Sequence, residues 1–99
     1  MIEKAFTPKR SVCKVTFKLP NEMAQRKVAI VGNFNNWDPS VNHLEKKSDA
    51  WQTTLRFKPD TEILFRYFID DQKWVNEDMA DGSVGNVYGS EDSILKLGH

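Results

Sequence analysis

The chain has 99 residues, enough for one domain, and its 14 Lys and Arg balance its 14 Asp and Glu to a net charge of zero. Nine bases and five acids in residues 1–49, against five and nine in residues 50–99, give a mild polarity but no strongly basic stretch. This argues against nucleic acid or an anionic membrane as the main partner, because both are held by clustered Lys and Arg. Cys13 is the single cysteine, so no internal disulfide forms, and no apolar run reaches membrane-spanning length or the pattern of an export signal; the expected location is the cytoplasm.

Residues 1–10 read as an N-terminal arm, either loose or paired to a sheet edge, ahead of one β-sandwich domain over residues 11–99. Cys13, Val15, Phe17 and Leu19 alternate with Lys14, Thr16 and Lys18, the period of a half-buried strand. Asn21 to Gln25 has a helical look but is too short to hold a helix alone. Val28-Ala29-Ile30-Val31 is apolar without interruption and reads as a buried strand that meets Gly32, and the continuously apolar character of Val28 to Phe34 predicts a central position. Trp51, Thr53, Leu55 and Phe57 form a further alternating set, and Phe65, Tyr67 and Ile69 another, with Arg66 and Phe68 out of phase. A turn at Asp70-Asp71-Gln72-Lys73 then returns the chain through Trp74-Val75 as a hairpin. Asp81 to Gly89 carries three of the five glycines and reads as a loop, and Ile94, Leu95 and Leu97 read as a last strand. Pro8, Pro20, Pro39 and Pro59 all fall between the apolar segments, where they interrupt no central strand.

Six to eight short strands with turn signals about every eight to twelve residues predict an all-β antiparallel sandwich. Its expected core is Cys13, Val15, Phe17, Val28, Ile30, Leu55, Phe57, Phe65, Tyr67 and Ile69.

The most informative stretch is Gly32-Asn33-Phe34-Asn35-Asn36-Trp37-Asp38-Pro39, where three Asn alternate with two aromatics at the end of the apolar strand. Its Gly, Asn, Asp and Pro are turn residues. A large ring at the mouth of such a turn has two readings. Trp37 either caps the core or presents a flat face to a sugar. Trp74, at the wet end of a hairpin, either covers a neighbouring loop or is a second platform. Trp51 is in phase with Leu55 and Phe57 and reads as core. Arg66 faces solvent, either paired with a carboxylate such as Glu62 or Asp70 or free to bond two adjacent hydroxyls with its planar fork. Asn33 and Asn36 read as turn-formers whose side chains bond local backbone.

Together, Gly32-Asn33-Phe34-Asn35-Asn36-Trp37, Phe65-Arg66-Tyr67-Phe68-Ile69-Asp70 with Trp74 beyond it, and Asn86-Val87-Tyr88-Gly89 resemble the glycogen- and starch-binding modules of carbohydrate-binding family 48. That family includes the early-set domains of isoamylases and branching enzymes and the glycogen-binding domain of the AMP-activated protein kinase β subunit; the likeness is greatest to small stand-alone bacterial early-set proteins. The motifs come in the family's order and, together with the strands between them, cover about residues 11–97. The resemblance implies an immunoglobulin-like sandwich of early-set type and non-catalytic binding of α-1,4-linked glucan such as glycogen, starch or malto-oligosaccharides. It implies sugar platforms at Trp37 and Trp74, with Arg66 and Asn86 as hydroxyl ligands. A glycogen-metabolising enzyme or a kinase is the protein partner it suggests. The alternative function is a regulatory or scaffolding sandwich that turns the same aromatic surface to a protein.

No cofactor, metal site or catalytic residue is expected. Asp70, Asp71, Glu77, Asp78, Asp81, Glu91 and Asp92 are numerous, but a glycosidase needs a carboxylate pair across a cleft, and a small sandwich rarely forms one. The acids lack EF-hand spacing, and His43 and His99 are too few and too far apart for zinc.

Overall fold

The computed structural model describes residues 2–6, 12–77, 79–85 and 91–97. Among these residues nine strands run in chain order: β1 (Ile2–Phe6), β2 (Cys13–Pro20), β3 (Val28–Gly32), β4 (Glu45–Lys46), β5 (Ala50–Phe57), β6 (Glu62–Ile69), β7 (Lys73–Val75), β8 (Gly82–Gly85) and β9 (Glu91–Lys96). The first sheet has the order β1-β2-β5-β4 and the second β3-β6-β9-β8, with β7 paired to β6 end to end with β9. All pairings are antiparallel. The fold is an all-β, immunoglobulin-like sandwich. The one helical element among the described residues is a 3-10 turn at Asn21–Met23, inside the segment with helical character.

The period-two pattern decides which side chains face inward. Cys13, Val15, Phe17 and Leu19 of β2 are buried, as are Ile63, Phe65, Tyr67 and Ile69 of β6. The sheets meet through an aromatic edge, Phe17 lying 5.3 Å from Phe65, and Phe65 in turn lies 5.7 Å from Tyr67 on its own strand, both pairs edge-on. Such pairs add about 0.5–1.5 kcal/mol beyond area burial. Leu55 and Phe57 are half-buried and pack against the core rather than within it, while Leu44, Leu95 and Leu97 join it. Trp51 is buried, as its phase with Leu55 and Phe57 requires.

Of the two readings of the arm, residues 2–6 take the second: they pair with β2 as an edge strand, and Lys4 also reaches across to the second sheet, where its Nζ bonds Asp81 and the Lys96 carbonyl. Two expectations change. The segment read as a loop from Asp81 to Gly89 holds β8 at Gly82–Gly85. The reason is Asp81, whose N–H donates to the Ile94 carbonyl and whose carboxylate accepts the Lys96 N–H, so the glycines are laid along β9 despite their low strand preference. And β3 is not central: it ends its sheet. Residues 42–44 cover its free edge, with Ile30 N–H bonded to Asn42 O at 3.1 Å and Leu44 N–H to Val28 O at 2.8 Å, so all five of its residues are buried nonetheless. Pro20 is the last residue of β2, opposite Ala50 and beyond the reach of β1, where no second partner needs its missing N–H.

Gly32 is the most tightly enclosed of the described glycines. A Cβ there would collide with the Leu64 carbonyl oxygen and stand 2.6 Å from the Phe34 ring. Gly32→Ala must push β3 away from β6, and overpacking of this kind costs about 1–3 kcal/mol. For a domain this size the melting temperature should fall by roughly 4 °C or more, read by circular dichroism; an unchanged melt would mean the two strands separate freely at this point.

Candidate functional site

The site starts where β3 ends. Asn33 exchanges two bonds with Leu64 on β6, its N–H donating to Leu64 O at 3.0 Å and its Oδ1 accepting Leu64 N–H at 3.2 Å. Asn35 is the hub of the turn. Its Oδ1 accepts the Gly32 N–H, and its Nδ2 donates to Ile30 O at 3.0 Å and to Asn42 Oδ1 at 2.9 Å. Phe34 turns back to pack on Phe57, centroids 5.3 Å apart. Asp38 closes the turn by accepting the Ser40 hydroxyl and N–H, bonds that lower its pKa, the hydroxyl bond most. The Asn33 oxygen and the Asn35 amide are therefore spent within the fold, Asn33 on the backbone of β6 rather than on the local backbone expected of it; Asn36 has a left-handed backbone, which Asn tolerates.

Trp37 is what this turn holds up. Its N–H donates to Gly32 O at 2.9 Å, its φ is +57°, and 38% of it stays exposed. A left-handed backbone costs a non-Gly residue roughly 1–2 kcal/mol. Local folding alone favours Gly or Asn at position 37, and a strained, half-exposed Trp is an outlier of the kind that points to function.

The second part lies on the outer face of β6. Because Phe65, Tyr67 and Ile69 point inward, Arg66 and Phe68 point out. Trp74 of β7 stands opposite Phe68 and stacks on it at 4.5 Å between centroids and 30° between planes. The Arg66 guanidinium lies 5.4 Å from the Trp74 ring centre, and Trp74 keeps 41% of its surface exposed. Phe68, whose role the alternation leaves open, is thus the support on which the indole rests. Arg66 and Trp74 are brought together. Trp37 stands apart from them, anchored at Gly32 opposite Phe65, three residues along β6 from Phe68, or about 10 Å. β3, from whose end the Trp37 turn departs, and β7, which carries Trp74, flank β6 on opposite sides. Asn86 lies outside the described residues.

The acids that invited a catalytic reading have structural partners. Asp70 takes the N–H groups of Gln25, Arg26 and Lys27 at 2.9, 2.7 and 3.0 Å, so it clamps the hairpin turn to the end of the 3-10 segment instead of pairing with Arg66. Asp70 and Asp71 are both at positive φ, with Gln72 N–H bonded to Ile69 O, a mirror-image turn without glycine. Asp71 pairs with Lys27 at 2.7 Å. Glu77 is buried, and its two oxygens accept the Tyr67 hydroxyl at 2.7 Å and the Met79 N–H at 3.0 Å. This buried network is the part that sequence reasoning missed. A shallow depression of about 230 Å³, lined by Val12, Arg56, Phe57 and Lys58, lies on the other sheet and contains no carboxylate. Among the described residues no His, Cys, Asp and Glu cluster is arranged to hold a metal, and no helix is long and apolar enough to cross a membrane.

No family model matches the chain, and no curated protein does. The likeness to the glucan-binding modules therefore rests on the motif residues themselves.

Asp70 gives the site a pH signature. The N–H bonds from Gln25, Lys27 and Arg26 hold its carboxyl below the usual carboxylate range. A lowered folded-state pKa means that the clamp stabilises the fold above the unfolded value, about 3.9, and that this contribution is lost as pH falls through the lowered one. The gap in melting temperature between wild type and Asp70→Asn should be widest above about pH 5 and narrow below about pH 4. A gap that stays constant down to pH 2 would show that the charge on Asp70 is irrelevant.

Proposed function

We propose that this protein binds α-1,4-linked glucan without catalysis, with Trp37 and Trp74 as sugar platforms and Arg66 as a hydroxyl ligand. The observation carrying the reading is the Phe68–Trp74–Arg66 group: an exposed indole already braced from behind, with a guanidinium beside it. A ring held this way loses little freedom when a pyranose packs on it, which lowers the ordering cost of binding. The left-handed Trp37 adds support, because it keeps a second ring exposed at a cost to the fold. A ligand touching both must be several sugars long. That favours an oligosaccharide or polysaccharide over a monosaccharide, and it fits the family that the motifs resemble.

Stacking one glucose on an indole buries on the order of 100 Å², or roughly 2.5 kcal/mol. Two such contacts less the association cost correspond to a dissociation constant of about micromolar to millimolar. The protein acts as a tether or sensor of glucan, and its partner is an enzyme or kinase of glycogen metabolism.

The same face would also suit a protein. Leu64, Phe68 and Ile94 are half-buried on the outer side of the second sheet, next to the exposed Trp74, so a partner could cover an apolar strip. Titration calorimetry separates the two. With maltoheptaose or β-cyclodextrin, Trp37→Ala, Trp74→Ala and Arg66→Ala should each weaken binding while the fold persists, the Trp variants by about tenfold or more. Trp51→Ala should instead cost about 3–5 kcal/mol of stability. No heat from wild type at millimolar oligosaccharide would overturn the glucan reading and leave the face to a protein.

A further inference from the structure

We infer that Glu77 is a positioning residue for Trp74: buried beneath the sheet, it fixes the exposed indole through β7. The inference rests on the reading of Trp74 as the ligand-binding ring. Its structural half stands without that reading.

Strand β7 has three residues, and among the described residues its ladder is with β6, at Tyr67, Phe68 and Ile69. So short a strand is weakly held by its own ladder. Of its side chains only Val75 packs against the core; Lys73 and Trp74 are exposed. Something beyond β7 has to hold it, and the next residues do so. Asn76 Nδ2 donates to Glu91 O at 2.9 Å, and Asn76 Oδ1 accepts the Ser93 hydroxyl at 3.0 Å. Ser93 Oγ in turn accepts the Glu77 N–H at 3.0 Å. One hydroxyl, donating once and accepting once, thus joins two successive residues of the segment to β9. Glu77 then turns inward, where one oxygen accepts the Tyr67 hydroxyl at 2.7 Å and the other the Met79 N–H at 3.0 Å.

Tyr67 is the key member. It is fully buried, it lies on β6 opposite Val75, and it neighbours Phe68, the residue on which Trp74 stacks. The Tyr67–Glu77 bond therefore closes a ring through β6 and β7 that contains the Phe68–Trp74 stack. Its members are mutually satisfied, and networks of that kind hold one arrangement rather than several. Breaking the ring frees β7 to shift on β6. The indole is then no longer pre-ordered, and affinity falls even though no ligand contact has been removed.

The role is one of hydrogen-bond geometry, so an isosteric amide should serve. In Glu77→Gln the amide oxygen can accept the Met79 N–H and the amide nitrogen can donate to the Tyr67 oxygen. In Glu77→Ala neither is possible.

The quenching test uses a Trp37→Phe background. Trp51 is buried, so Trp74 is then the tryptophan open to a soluble quencher. Acrylamide quenching is measured in that background, and maltoheptaose titration with Trp37 in place, on the parent protein, Glu77→Ala, Glu77→Gln and Asn76→Ala. Asn76 is exposed, so Asn76→Ala loosens the same segment with less risk to the fold. The expected result is greater quenching of Trp74 in Glu77→Ala and Asn76→Ala, binding weaker by about tenfold where wild type binds, and near-normal values for both in Glu77→Gln. Cooperative melting of each variant marks the fold as intact. If Glu77→Ala and Asn76→Ala lower the melting temperature but leave Trp74 quenching unchanged, Glu77 is structural only and the inference fails. If quenching changes as expected and no form binds maltoheptaose, the positioning of Trp74 stands and the glucan reading alone fails.

Discussion

A missing side chain governs the functional end of the molecule. Gly32 lets β3 lie against the Leu64 carbonyl of β6, and the rest of the turn depends on that approach. With the strands this close, Asn33 can exchange two bonds with Leu64, and the chain leaves β3 in an orientation that aims Asn35 back at Ile30 and Gly32. The free hydrogen of Asn35 then reaches Asn42, which brings residues 42–44 along the open edge of β3. The same few bonds thus bury an edge strand that would otherwise invite foreign pairing and set Trp37 on its left-handed backbone.

Core packing and the candidate binding face are two consequences of one register. Phe65, Tyr67 and Ile69 fill the interior only if Arg66 and Phe68 face outward, and a slip of one residue would exchange the two sets. The core therefore enforces the position of the outer residues, and the β6–β7 pairing places Trp74 over Phe68. On the far side of the hairpin the Asp70 clamp does similar work, tying the turn to residues 25–27 and fixing the point at which β7 begins. Glu77 fixes the point after which it ends. A three-residue strand is thereby held at both ends by carboxylates, one near the surface and one buried.

Much of this was legible in the sequence. Period-two alternation marked β2, β5, β6 and their inward residues, because a half-buried strand has no other way to satisfy both its faces. The motif from Gly32 to Pro39 marked the turn, and the phase of Trp51 separated it from Trp37 and Trp74. What the sequence hid was tertiary in origin. Gly82–Gly85 has the composition of a loop and is a strand only because Asp81 docks on β9. Val28–Val31 reads as central because it is buried, yet its outer neighbour is the return of a loop from Asn42 to Leu44. Glu77 and Asp70 looked like members of an acidic run, and nothing local tells a buried anchor or a backbone clamp from a solvated surface acid.

The central claim is that the amides of the motif build the turn while the two outer Trp residues and Arg66 meet the ligand. The most direct measurement is a two-dimensional nitrogen–proton NMR titration of the intact protein with maltoheptaose. The account predicts that the indole N–H signals of Trp37 and Trp74 and the Arg66 side-chain signal move together and saturate at a single dissociation constant. The Asn35 amide and the buried Trp51 indole should stay in place. Saturating shifts centred on the outer face of the first sheet, around Thr16 and Thr54, or no shifts at millimolar ligand, would contradict it.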